Sequence, residues 1–304
     1  MWGKPVGIED PCRAQLRFLP ALRAYSGARK PEAISQTALI HGRLGTLEVR
    51  LARFAAEVRR AQELRYRVFY KEMCAAPDAR RMIAQRDVDH FDTICDHLIV
   101  LDHESHSPTG KPALVGTYRL LRQHMAERSL GFYNAREFDI GALIARHRER
   151  KFLELSRACV LPAYRNKRVI ELLWHGIWTY VVQHEFDVMI GCASLEGTDL
   201  DGLALPLSFL HHFGSAPEGW RVRAKPQYYV EMNRISKEHI DKKAAVSALP
   251  PLVKGYLRLG AFFGEGAVID HHFGVTVVLV VLPVSAMRTR YKQYFGSDTR
   301  WSGP

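Results

Sequence analysis

The stretch FLELSRACV, residues 152–160, reads as a buried strand, yet it carries Glu154, Ser156 and Arg157. A carboxylate and a guanidinium cost free energy in a core unless they are paired or used. Strand alternation puts Glu154 and Ser156 on one face with Phe152 and Ala158, and Leu153, Leu155, Arg157 and Cys159 on the other. Desolvation raises the pKa of a carboxyl near the end of an apolar strand, which suits a general base working near neutral pH. An ion pair with Arg119 or Arg65 is the competing reading of the same residue. Arg157, on the opposite face, is expected to be a structural or network arginine rather than a partner in the chemistry.

Two further groups carry chemistry. The strand runs into LPAYRNKRV, which places Arg165, Lys167 and Arg168 beside the start of a helix. Free backbone N–H groups, the helix dipole and three cations together make a site for a phosphate or pyrophosphate; the plain alternative is a solvated basic loop. Upstream, LRYRVFYKEM, DVDHFD and VGTYRLLR supply Arg65, Arg67, Asp87, Asp89, Asp92 and Arg119. Such a set can form a mutual scaffold network, or grip an amino acid, with arginine on the carboxylate and an acid on an ammonium. Metal chemistry is disfavoured. His211–His212 and His271–His272 are adjacent pairs whose side chains diverge, and no HExxH occurs. Nor is there a GxSxG, a phosphate-binding P-loop or a GxGxxG. The five cysteines are scattered without a CxxC pair, which argues for a reducing compartment and against structural zinc.

The elements that must position these residues follow from periodicity. GTLEVRLA alternates as a half-buried strand, and Phe54 to Met73 is helical, with Phe54, Val58, Ala61, Leu64 and Val68 on one stripe. APDARRMIAQRDVDHFD is a polar loop long enough to suggest a task. HLIVLD and ALVGTYRLLR form a hairpin around the turn HESHSPTGKP, and a loop and helix fill 123–150. After the basic loop, Ile170, Leu173, Trp174, Ile177, Trp178, Val181 and Val182 make an apolar helical stripe, so the tryptophans are core. FDVMIGCAS is then a strand parallel to FLELSRACV by the βαβ rule. LSFLHHF reads as helix, YYVEM as strand, and the segment after the proline pair LPP as helix. VTVVLVVLPV is too short for a membrane span and reads as a central strand. The predicted fold is mixed α/β, or α+β. The expected organisation is an N-terminal arm over 1–44, one domain over 45–290 and a basic, aromatic tail over 291–304.

The chain has 304 residues and a formal charge of +11, which suggests an acidic partner (nucleic acid, anionic lipid or an acidic protein), the plain alternative being a soluble protein that is merely basic. Basic residues are not interleaved with exposed aromatics on one face, which disfavours nucleic acid. The first residues lack an apolar core of the signal-peptide kind, which predicts a cytoplasmic protein.

Strand, basic loop, helix and parallel strand resemble the GNAT N-acyltransferase superfamily. LRYRVF, DHFD, HLIVLD, VGTYRLL and ELSR also resemble the acyl-homoserine-lactone synthases, at Arg65, Phe69, Asp89, Asp92, Arg119, Glu154 and Arg157. GFYNAREFDI, LSRACVLPAYRNKRVIELLWHGIW, DVMIGCASLEGTD, LSFLHH and LPPLVKGYLRLGAFFGEGAVIDHHFG resemble the bacterial ornithine Nα-acyltransferase family over roughly residues 45–290. The resemblance implies a mostly antiparallel sheet with one splayed parallel strand pair, flanked by helices. It implies transfer of a 3-hydroxyacyl chain from acyl carrier protein to the α-amine of L-ornithine, giving lyso-ornithine lipid without a further cofactor or metal. Another amino acid or an S-adenosylmethionine-type acceptor is the alternative. On this reading Glu154 is the base, and Ser156 orients the base or the leaving thiol. Arg119 or Arg65 takes the acceptor carboxylate, an acid among Asp89, Asp92 and Asp270 takes the side-chain ammonium, and Phe69 belongs to the acceptor site. Arg165, Lys167 and Arg168 face the single phosphate of a carrier-bound phosphopantetheine. The glycines usual in the GNAT pyrophosphate loop are replaced here by Arg168 and Ile170, which fits a one-phosphate donor better than a diphosphate. The same cations and the tail (Arg288, Arg290, Lys292) suit peripheral contact with the anionic inner face of the cytoplasmic membrane.

Overall fold

A computed structural model of the chain describes residues 40–73, 75–107 and 110–296. Eight strands form one sheet: β1 (Ile40–Leu44), β2 (Leu47–Leu51), β3 (Asp96–His106), β4 (Pro112–Arg122), β5 (Phe152–Val160), β6 (Val188–Glu196), β7 (Phe262–Asp270) and β8 (Val275–Pro283). Their order is β1-β2-β3-β4-β5-β6-β8-β7, and every neighbouring pair is antiparallel except β5 and β6. The helices are α1 (Ala55–Tyr66), α2 (Ala79–Ala84), α3 (Gln123–Glu127), α4 (Ile140–Arg146), α5 (Lys167–Gln183), α6 (Ala204–Phe213), α7 (Lys242–Ala248), α8 (Pro251–Leu259) and α9 (Thr289–Gly296). Among the described residues no helix is long and apolar enough to cross a membrane.

Helices cover both faces of the sheet. On one face, α5 packs Val169, Leu172, Leu173, Trp174 and Ile177 against Leu98 and Val100 of β3 and Leu153 and Leu155 of β5. The ends of the expected stripe, Ile170 and Val182, are 40% and 57% exposed, because a straight helix leaves the twisted sheet at its ends. On the other face, α1 packs Ala61 and Leu64 against Ile99, Leu101 and Cys159. The central strand β8 is buried along its whole length, as its continuous, mostly β-branched apolar run requires, but it lies next to the edge strand β7.

Several expectations change. Residues 40–44, placed in the arm, are strand β1 and pair with β2, so the sheet starts before residue 45. Much of the expected tail is α9, whose Phe295 is buried near Trp174 of α5; residues 297–304, like residues 1–39, lie outside the described residues. YYVEM makes only an isolated bridge, Val230 to Ala267. β3 runs on to His106, through residues expected in the turn.

Two irregularities shape the middle of the sheet. The β5–β6 ladder ends at Leu155 and Gly191, although both strands continue, so the parallel pair splays beyond that rung. At that rung a Cβ on Gly191 would stand 2.6 Å from the Leu155 carbonyl oxygen, so only glycine lets the strands close before they part. On its other edge β5 has a bulge: Arg119 pairs with Ser156 and Thr117 with Cys159, leaving one extra residue on β5. Arg157 there has φ 54, in the left-handed region that single bulge residues use. Gly191→Ala is expected to lower the unfolding free energy by roughly 1–3 kcal/mol, the cost of overpacking a closed site; denaturant titration followed by circular dichroism measures it.

Candidate active site

The site grows from the end of α1. Arg65 is wholly buried; its Nε donates to Asp87 at 2.8 Å and its Nη2 to Asp92 at 2.8 Å. Beyond Tyr66 the helix widens into a π-turn over Arg67–Glu72, closed by the Met73 N–H on the Val68 carbonyl at 2.9 Å. Wide turns of this kind re-aim side chains. Here Tyr70 donates its hydroxyl to Asp87 at 3.2 Å, and Phe69 meets Phe273 edge-on, ring centroids 5.7 Å apart.

The spacing of Asp89 and Asp92 has a local cause. They form a reciprocal capping box on the 3-10 turn His90–Thr93, in which the Asp89 N–H reaches the Asp92 carboxylate at 3.1 Å. The box then presents both acids to Arg119, which is 1% exposed. Arg119 Nη1 donates to Asp89 at 2.6 Å and lies 3.3 Å from Asp92, while its Nε donates to the Ser156 hydroxyl at 3.1 Å. Ser156 therefore positions Arg119; no hydrogen bond to Glu154 accompanies it.

The bulge overturns the expected place of Arg157. Its guanidinium reaches Asp87 at 3.2 Å and Asp89 at 3.4 Å, and stacks 4.9 Å over Tyr133 and 5.7 Å over Phe273. It shares the face of Ser156 and Glu154, because the extra residue interrupts strand alternation. The same interruption turns Cys159 toward α1.

The two kinds of carboxylate are tuned in opposite directions. Burial opposes ionisation of Asp87, but Arg157 and Arg65 outweigh it and hold its pKa at about 2. Burial dominates at Glu154, which is 0% exposed, and lifts its pKa to about 7 against the opposing pull of two backbone N–H groups and Arg119. Those donors are Asn134 at 2.9 Å and Tyr133 at 2.7 Å, one on each carboxylate oxygen. Neither Arg119 nor Arg65 forms a salt bridge with Glu154, so the ion-pair reading does not describe it. Glu154 stands opposite Ile190, one rung before the splay. From the α5 side, a narrow crevice lined by Leu155, Trp174, Met189, Gly191 and Tyr256 reaches the same rung.

Asp270 ends β7 and caps the following turn, accepting the N–H of His272 at 2.9 Å and of Phe273 at 3.1 Å. Glu137 lies within its field: burial and then the Asp270 charge raise the Glu137 pKa. The Cys192 thiol on β6 is raised by burial and then by the charges of Glu137 and Glu154. Glu137 and Tyr133 were not singled out by sequence reasoning, since they sit in turns without periodicity. Only the block GFYNAREFDI contains both.

The basic loop is divided. Arg165 is tied to Glu72 by two hydrogen bonds of 2.5 and 2.8 Å and to the Val160 carbonyl at 3.1 Å. Lys167 is 84% exposed and 3.6 Å from Glu171. Arg168 is exposed beside the β1–β2 turn at Gly45. Asn166 caps α5 by accepting the Val169 N–H. Lys167, Arg168 and this helix start remain open to an anion, while Arg165 latches the loop to the π-turn.

The sequence matches the acetyltransferase (GNAT) domain family over residues 64–175. The L-ornithine N(alpha)-acyltransferase of Agrobacterium fabrum (strain C58) is 52% identical over 259 residues, covering 85% of this chain and 88% of that protein. That of Rhizobium meliloti (strain 1021) is 52% identical over 266 residues, covering 86% and 89%. Among solved structures, an N-acyl amino acid synthase from uncultured soil microbes aligns with 84% of this chain and 98% of its own at a TM-score of 0.44 and 13% identity.

Asp87→Ala is expected to destabilise the protein by about 3–5 kcal/mol, as loss of one partner in a buried ion cluster does. A depressed carboxyl pKa stabilises the fold above the unfolded value near 3.9. The Asp87 contribution is therefore present above about pH 4 and is lost as pH falls toward about 2. Denaturant titration of wild type and Asp87→Ala measures the first effect, and titrations of wild type and Asp87→Asn across that pH window measure the second.

Proposed function

This chain belongs to the family of L-ornithine N(alpha)-acyltransferases, and from that footing we propose that it moves an acyl chain from a thioester to the α-amine of L-ornithine. The observation that carries the mechanism is Glu154, a buried carboxylate with a pKa of about 7 one rung before the parallel strands part. Holding it ionised in this place costs on the order of 3 kcal/mol above neutral pH, and such costs cluster at working sites.

The ammonium form of the acceptor loses a proton, and the free amine attacks the thioester carbonyl. Glu154 accepts the proton, directly or through a water, using a lone pair that its two backbone donors leave open. The amine nitrogen adds to the carbonyl carbon, the nitrogen's second departing proton passes to the sulfur, and the C–S bond breaks to release the thiol. Backbone N–H groups freed at the splay stabilise the oxyanion. A thioester is already activated, so no enzyme nucleophile, metal or further cofactor is invoked.

The arginine cluster suits the acceptor carboxylate. Arg65, Arg81, Arg119 and Arg157 face Asp87, Asp89 and Asp92, which leaves one positive charge. Nη1 of Arg65 and Nη2 of Arg119 are buried without a hydrogen-bond partner. Arg157, with 11% of its side chain exposed, and Arg81, with 20%, are the members a ligand can reach, and of these Arg157 lies nearer Glu154 on β5. Phe69, through Phe273, walls the same region. Glu137 and Asp270 receive the side-chain ammonium, since a cation offsets both the burial and, after it, the Asp270 charge that raise Glu137.

Acyl carrier protein is the proposed donor, with Lys167, Arg168 and the start of α5 toward the phosphopantetheine phosphate and Arg165 holding that loop. The chain's surplus of +11 favours an acidic carrier and an anionic membrane surface. The deciding experiment offers acyl carrier proteins of several chain lengths, with and without a 3-hydroxyl, and a panel of amino acids, and identifies products by mass. Acylornithine is the expected main product; an equal yield from all amino acids removes the proposal.

Two kinetic outcomes are expected. In wild type, kcat/KM rises with pH through about 7, as Glu154 loses its proton. Glu154→Gln lowers kcat by roughly 10²–10⁴ and abolishes that limb; an unchanged pH profile would leave Glu154 only a structural acceptor for the 133–134 turn. Glu137→Gln raises KM for ornithine roughly tenfold or more with a smaller change in kcat, the loss of one charged hydrogen bond, and steady-state kinetics separates the two constants.

A further inference from the structure

The loop between the π-turn and the capping box carries a surface that the acyl-transfer chemistry does not use. α2 within it buries none of its residues. Four large apolar side chains of the loop are exposed: Met73 at 46%, Met82 at 37%, Ile83 at 58% and Val88 at 40%. A short helix that spends no apolar surface on the core is held for another reason.

That reason is not looseness, because the loop is fastened from below. Arg81 pairs with Asp78 at 2.6 Å and with the buried Asp87 at 3.5 Å. Gln85, which ends α2, donates to the Tyr66 hydroxyl at 3.1 Å and to the Met82 carbonyl at 2.7 Å. Lys71 lies 5.6 Å over the same Tyr66 ring, which brings it beside the end of α2. The exposed charges are unequal. Glu72 is neutralised by Arg165 and Asp78 by Arg81. Lys71 and Arg80 are exposed, and among the described residues neither has an ion pair. The outward face is therefore apolar and cationic.

We propose that this loop seats the protein on an anionic bilayer, with Met82 and Ile83 in the headgroup–acyl boundary and Lys71 and Arg80 at lipid phosphates. Apolar side chains flanked by cations are what such an interface takes. The tail and the basic loop before α5 are then secondary. The same Asp87 that anchors α2 binds Arg157 and Arg65, so the docked surface is one ion pair from the acceptor site. The purpose of this docking, delivery of an acylated product into the membrane, rests on the acyl-transfer reading; the docking itself is measured without it.

The test uses the full chain and vesicles of phosphatidylcholine with and without about 30% phosphatidylglycerol, at low and at about 0.15 M salt. The expected result is cosedimentation with the anionic vesicles, weakened by salt, and reduced roughly tenfold or more in Met82→Asn/Ile83→Asn. In the same variant, turnover of a soluble short-chain acyl thioester with ornithine stays at the wild-type rate, which excludes misfolding. Failure of wild type to bind anionic vesicles, or equal binding by the variant, overturns the proposal while leaving turnover to judge the acyl-transfer reading. Loss of acyl carrier protein binding in the variant with vesicle binding intact also overturns it, and assigns the surface to the carrier.

Discussion

Groups from several separate elements converge on the Asp87 carboxylate. Arg65 comes from α1, Arg157 from the bulge of β5, Arg81 from α2 and Tyr70 from the π-turn. A buried carboxylate can be this shared only because each arginine lowers its charge cost. The consequence is mechanical as well as electrostatic. The helix end, the strand and the loop are held at one point, and the site is built around that point. Asp89 and Asp92 extend the arrangement to Arg119, and through it to Ser156.

Against this charged cluster, Glu154 stands apart. It lies on the same face and within the field of Arg119, yet its direct partners are two backbone N–H groups. Neutral donors offset part of the desolvation and leave the pKa near 7, whereas the arginines drive Asp87 to about 2. Two carboxylates in one site thus take different protonation states from different environments. The division suits acyl transfer, which asks for one group that exchanges a proton and others that stay charged to orient a ligand.

Backbone irregularity supplies the geometry. A regular β5 would have sent Arg157 to the α5 face, into an apolar layer. The bulge returns it to the charged face, and the π-turn does the same for Tyr70. The ladder between β5 and β6 ends at Leu155 and Gly191, one rung past Glu154, although both strands run on. These three departures from regular structure, the bulge at Arg157, the π-turn and the splay, coincide with the site, which is where local rules are expected to yield.

Much of this was legible in the chain alone. Periodicity gave the α1 and α5 helices, the β3–β4 hairpin and the parallel β5–β6 pair, because burial of one face leaves a repeat of 3.6 or 2 in the sequence. The oddity of Glu154 in an apolar strand was also readable, since polarity in a core run is visible without coordinates. Arg157, Tyr133 and Glu137 were not. A one-residue bulge leaves no periodic trace and reverses every side chain after it. The tie between Arg165 and Glu72 joins residues far apart in sequence, and charge type alone does not tell a phosphate-binding arginine from a latched one. The sequence determined which residues were available for chemistry and on which elements they ride. The tertiary structure decided which of them share a face, because that depends on bulges, on the splay and on the long-range ion pairs that only the closed fold brings within reach.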